Sequence, residues 1–169
     1  MNRRCALGGL CAIALVTIPA FPSSSVAQEK LLRDQLVGTW IYVSSTARRD
    51  NGSTVQRPSF KGTATYTADG RFHLLAARTD APEYKSGDLA RPSSDEALAA
   101  SGSFTYTGTY MVDENTKTIH ANIETSTFPN FVPAADLRRI IRSITADEMS
   151  LTNLDTPGLA IDTVWKRVK

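Results

Sequence analysis

His120 and Glu124 stand four residues apart in a segment of alternating polar and apolar residues, Lys117 to Thr125, with Asn122 between them. On an extended strand that spacing sets the imidazole and the carboxylate on one face, two alternations apart. Such a pair can share a proton and serve as acid and base near neutral pH. Arg138 could hold an anionic head group beside them, because a planar fork of donors suits a carboxylate. Tyr66, Tyr106 and Tyr110 add ring faces and hydroxyls of the kind that line the interior of a small barrel. These six residues form the candidate ligand site. His120 and Glu124 double as the alternative catalytic pair of a cofactor-independent isomerase, cyclase or hydrolase.

Where this set points depends on strand pairing. Phe104, Tyr106, Gly108, Tyr110 and Val112 share one face of the preceding segment, and Thr105, Thr107 and Thr109 share the other. If Val112 pairs with Lys117, His120 joins the threonines on a solvated exterior. If Val112 pairs with Thr118, Tyr110 meets His120, Tyr106 meets Glu124, and all four look inward. One residue of slip carries the whole set from water to cavity, and both registers stay open. Other chemistry lacks its motifs. His73 is the only other histidine, and no close His-x-His or His-Glu spacing is present, so no metal site is expected. Serine-nucleophile motifs and glycine-rich phosphate loops are missing, and no cofactor is expected.

The elements that must position these residues read as strands. Val37 to Thr46, Gly62 to Thr67, Arg71 to Ala77, Phe104 to Val112, Lys117 to Thr125, Leu137 to Thr145, Glu148 to Leu154 and Leu159 to Val168 alternate and are separated by turn residues such as Asn51-Gly52 and Ala68-Asp69-Gly70. About eight strands in sequential hairpins predict an all-β, antiparallel up-and-down barrel, with an open two-sheet sandwich as the alternative. Thr79 to Ser103 loses the pattern. Within it Ser93-Ser94-Asp95-Glu96 reads as a capping box that opens a short helix, and the long loop is a candidate lid or partner-binding segment. A further short helical turn is expected around Leu31 to Leu36. Trp40 near the start and Arg167 near the end suit barrel closure, a ring sealing one end beneath a cation.

Arg3 and Arg4 precede an apolar stretch from Ala6 to Ile18, and Ser25-Val26-Ala27 offers small residues before a cleavage at Gln28. Charge, length and cleavage chemistry read as a secretory signal peptide over residues 1–27, leaving one domain over residues 28–169. The apolar stretch falls short of the ~20 residues a membrane helix needs, so no membrane insertion is expected after cleavage. Cys5 and Cys11 leave with the signal, and the mature chain has no thiol for disulfides or catalysis. Loss of Arg3 and Arg4 also equalises basic and acidic residues. A neutral surface gives no electrostatic reason to bind nucleic acid.

Leu36-Val37-Gly38-Thr39-Trp40, Tyr66-Thr67-Ala68-Asp69-Gly70-Arg71, Tyr106-Thr107-Gly108-Thr109-Tyr110 with Val112-Asp113, then His120, Pro129-Asn130, Arg138 and Val164-Trp165-Lys166-Arg167-Val168 follow in an order and spacing that resembles the bacterial and fungal lipocalin-like domain family, a calycin-type relative of the lipocalins. The resemblance spans nearly the whole mature chain. It implies an eight-stranded barrel with a central cavity and no settled activity. Phe131 stands where the family pattern leads one to expect tryptophan, and Pro133 where glycine is usual. The expectation is an exported, periplasmic or secreted monomer whose partner is a small apolar or amphipathic molecule bound in the barrel.

Overall fold

The structure is a computed structural model that describes residues 30–81, 83–85, 87–88, 90–100, 102–132 and 137–169. The signal segment and Pro133 lie outside the described residues. A short helix α1 (Leu32–Leu36) leads into β1 (Gly38–Arg49), followed by β2 (Thr54–Val55), β3 (Phe60–Tyr66), β4 (Arg71–Arg78), α2 (Ser94–Ala100), β5 (Phe104–Asp113), β6 (Thr118–Ser126), a 3-10 turn at Pro129–Phe131, β7 (Leu137–Ile144), β8 (Glu148–Thr156) and β9 (Leu159–Arg167). Strands β3 to β9 pair in sequence order, β1 pairs with β3 on one side and β9 on the other, and the sheet closes. The result is an eight-stranded antiparallel barrel, with β2 a short addition along the far half of β1. The sandwich alternative is excluded by the β1–β9 ladder, which runs from Trp40↔Arg167 to Arg49↔Leu159.

Alternation does the sorting. Phe72, Leu74 and Ala76 of β4 are buried while Arg71, His73, Leu75 and Ala77 are exposed. Tyr106, Gly108 and Tyr110 do the same in β5. Four ladder irregularities bend the sheet into a tube. One lies where Thr107 pairs with Thr125 but Gly108 pairs with Ile123, which makes Glu124 the extra residue. Here the strands approach so closely that a Cβ on Gly108 would lie 1.9 Å from the Asn122 carbonyl oxygen, and only glycine fits.

The two ends of the barrel differ. At one end Leu36, Trp40, Ile119 and Met149 are fully buried. Trp40 donates its Nε1–H to the Leu36 carbonyl at 2.8 Å, and the Arg167 guanidinium stands 4.0 Å above its ring. Arg167 also donates to the carbonyls of Gln35 and Val37, which the end of a short helix would otherwise leave unsatisfied, and to the Ala146 carbonyl in the β7–β8 turn. Glu114, from the β5–β6 turn, accepts the backbone N–H groups of Leu32 and Arg33 at 2.9 and 3.0 Å and so holds α1 across this end. Gly38 adopts φ +133°, and a Cβ there would meet Arg167 Nη1 at 2.7 Å. Gly38→Ala is therefore expected to lower stability by roughly 1–3 kcal/mol through backbone strain and displacement of the guanidinium. Urea denaturation checks it, and an unchanged midpoint would mean Arg167 can move aside at no cost.

The other end is open. The β1–β3 ladder stops at Ile41↔Thr63, and the β6–β7 ladder stops at Ala121↔Leu137. Beyond these points the walls are continued by the Gln56–Ser59 connection, the 3-10 turn, and the β8–β9 turn. The long β4–β5 connection carries α2, whose capping box forms as the sequence suggests. The Ser93 N–H donates to Glu96 Oε2 at 2.7 Å and the Glu96 N–H to Ser93 Oγ at 3.3 Å.

Candidate functional site

The open half of the barrel encloses a cavity of about 180 Å³. Its apolar wall is built by inward positions of five strands: Tyr42 of β1, Phe60 of β3, Leu74 of β4, Phe104 and Tyr106 of β5, and Ile161 and Trp165 of β9. The rings meet edge-on, Tyr42 against Trp165 at 5.5 Å and against Phe60 at 6.2 Å, and Phe60 against Phe104 at 6.3 Å. Phe131, from the 3-10 turn, closes this wall over Tyr106 at 5.6 Å. Outside lies a second groove of about 570 Å³ that shares Arg57, Phe60, Phe104 and Phe131 with the inner cavity and adds Phe128. These shared phenylalanines form a collar between the two spaces.

One side of the inner cavity is polar. Arg139 of β7 points inward between Leu137 and Ile141 and is only 4% exposed. Its Nη2 donates to the Tyr106 hydroxyl and to Asp155 Oδ2, both at 2.9 Å. A buried charge is tolerated only with such compensation. Burial alone works against the Arg139 charge, but the Asp155 carboxylate and the hydrogen bond to the Tyr106 hydroxyl outweigh it and hold the guanidinium protonated more firmly than usual. Burial in turn pushes the Tyr66 and Tyr106 phenols above their ordinary range, so both stay neutral. The Tyr106 oxygen accepts from Arg139 and keeps its own hydrogen to donate.

Three further polar atoms of this cavity are buried without a hydrogen-bond partner among the described residues: Arg139 Nη1, Arg57 Nε and Asn153 Oδ1. Arg57 lies on the β2–β3 connection with its guanidinium 5.4 Å from the Phe60 ring centre, and burial lowers its pKa. The cavity thus carries two guanidinium groups against one carboxylate, set beside its aromatic wall.

The residues proposed from the sequence separate. Tyr106 lines the cavity, whereas Tyr66 and Tyr110 pack the core towards the closed end. There Tyr66 stacks on Phe72 and meets Tyr110 edge-on at 5.1 Å, and the Tyr110 hydroxyl donates to the Thr67 carbonyl. The β5–β6 register corrects both sequence alternatives. Val112 pairs with Ile119, which puts Ile119, Ala121 and Ile123 inside and His120 on the outer face, opposite Met111 and Arg138. Glu124 is exposed and forms an ion pair with Arg71 at 2.7 Å. An acid–base pair inside the barrel is therefore not assembled, and His120, Glu124 and Arg138 are withdrawn as cavity residues. His120→Ala is expected to leave cavity binding within about twofold and to cost under about 1 kcal/mol of stability, as outer-face changes usually do. Probe titration and thermal melting together check this.

Arg138 was the wrong arginine by one position. Leu137 and Ile141 flank Arg139 at two-residue spacing and are buried with it, which makes Arg139, not Arg138, the inward cation. Asp155 and Asn153 likewise continue the inward series of Met149 and Leu151 along β8. Arg57 had no periodic signal, since it lies between strands. Phe131, noted as a departure from the family pattern, lines the cavity itself.

A search of curated proteins gives no match to this chain. Among solved structures, a lipocalin-like protein from Bacteroides uniformis ATCC 8492 is 12% identical, aligned over 79% of this chain and 99% of its own, with a TM-score of 0.43. A redesigned β-barrel is 14% identical over 81% of this chain and 95% of its own, with a TM-score of 0.43. A de novo designed fluorescence-activating β-barrel is 11% identical over 80% and 96%, with a TM-score of 0.40. The architecture itself stands on the strand ladders described above. The lipocalin-like domain pattern matches residues 37–167, from the strand that carries Trp40 to the arginine that covers it, and the chain belongs to the lipocalin-like domain family.

Proposed function

We propose that this chain is an exported carrier that binds a small amphipathic molecule in the open half of its barrel. One observation carries the reading: an apolar, aromatic cavity surrounds a buried arginine whose Nη1 has no partner among the described residues. Pockets that hold small molecules combine such walls with a few placed polar groups. The signal-like segment at residues 1–27 supports export to the periplasm or beyond.

Native mass spectrometry of the gently purified chain, followed by solvent extraction, tests the binding role. A retained compound, or displacement of a neutral solvatochromic dye with a change in Trp165 emission, supports it. An empty spectrum together with failure of every amphipathic probe to bind would remove it. Amino-terminal sequencing of the exported protein should begin at Gln28, and an intact Met1 terminus would remove the export reading.

A further inference from the structure

We infer that the ligand is a carboxylic acid, with its carboxylate seated on Arg139 Nη1 and Arg57 Nε and its apolar body against Phe60, Phe104, Phe131 and Trp165. This rests on the carrier reading and names the ligand class for the same cavity. Arg139 supplies the first reason. Its Nη2 spends both hydrogens on Tyr106 and Asp155, while the two on Nη1 have no acceptor among the described residues. Arg57 Nε is a second buried donor of the same kind lining the same cavity. Two guanidinium groups and one carboxylate line the cavity, so one positive charge is left over once Arg139 is paired with Asp155. A single negative charge with two acceptor oxygens matches that surplus, and a guanidinium fork suits its planar geometry.

Size narrows the class further. An apolar cavity of about 150 Å³ can hold a benzene ring, so the inner space of about 180 Å³ takes a ring or a short chain next to the acid. The rest of a longer ligand passes the phenylalanine collar into the outer groove beside Phe128. Acid-first insertion follows from the placement of charge, because Arg139 lines the inner cavity alone while the outer groove has only Arg57, which the two spaces share.

The test compares decanoate with decanol, equal in chain length and differing in the head group, on the purified chain at neutral pH by calorimetry and Trp165 emission. Decanoate is expected to bind at least about tenfold more tightly, the scale of a hydrogen bond to a charged group. Arg57→Gln and Arg139→Lys, each checked for folding by circular dichroism, should bring the acid-to-alcohol ratio towards one. The first changes a loop residue, and the second keeps a cation beside Asp155, so at least one folded variant is available. Equal binding of acid and alcohol by the parent would overturn the carboxylate inference and leave the carrier reading standing. An acid preference unchanged in both variants would place the anchor elsewhere and overturn it too. Failure of both probes would count against the cavity as a binding site altogether.

Discussion

Arg139→Leu is expected to lower stability by about 3–5 kcal/mol, the cost of leaving a buried charge without its partner. The arginine is 5% exposed at its side chain and Asp155 is 11%, so the carboxylate would lose this ion pair where little water reaches it. Tyr106 would also lose the guanidinium that donates to its hydroxyl. For a domain of this size the loss corresponds to a melting temperature lower by roughly 10–15 °C. The compensating experiment is more informative than the single change. Arg139→Leu combined with Asp155→Leu removes both charges, and most of the lost stability should return, since hydrophobic replacement of a buried pair is often neutral or favourable. Such a rescued barrel should fold yet lose its preference for acids. A single variant that melts like the parent would show that the carboxylate reaches solvent and that the pair is not buried in the sense described.

Trp40→Ala is the second large effect, expected to cost on the order of 3–5 kcal/mol, as truncation of a large buried ring does. The indole is fully buried, donates to the Leu36 carbonyl, and lies under Arg167. The stacked cation accounts for roughly 0.5–2 kcal/mol of this, depending on desolvation. Loss of the ring also frees the contact that ties α1 and β9 to the start of β1, so unfolding should accelerate as well as become more favourable. Trp40→Phe keeps most of the apolar area but not the N–H, and should fall between alanine and the parent. Equilibrium and kinetic denaturation in urea check both variants. A Trp40→Ala midpoint close to the parent's would mean that the closed end holds without its plug.

The two arginines that matter most, Arg167 and Arg139, show which parts of this molecule could be read in advance. Arg167 was legible because it belongs to a pattern of order: a tryptophan near the first strand's start and a cation near the last strand's end can meet only if the sheet closes. Arg139 was present in the pattern but was passed over for its neighbour Arg138. Two arginines in a row, followed by Ile140 and Ile141, leave the strand's inward face ambiguous until Leu137 and Ile141 are seen to be buried together. The β5–β6 hairpin was missed in a different way. Neither pairing weighed from the turn matched the Val112↔Ile119 register, although the observed one shares its parity with the outward alternative. The bulge that makes Glu124 an extra residue could not be foreseen at all, because it depends on how closely Gly108 approaches Asn122 across two strands.

What the chain determined by itself was its architecture. Period-two alternation, turn residues between the segments, and the capping box at Ser93 and Glu96 are local properties, and hairpins joining sequence neighbours lead to a closed up-and-down barrel. What only the tertiary structure decided was the content of the cavity. Which side chains face inward depends on cross-strand register and on bulges. Those are set by contacts between residues far apart in sequence, such as Arg139 with Tyr106 and Arg57 with Phe60. A shift of one position exchanges inside for outside, and so the interior acid–base pair gave way to a buried arginine in an aromatic chamber.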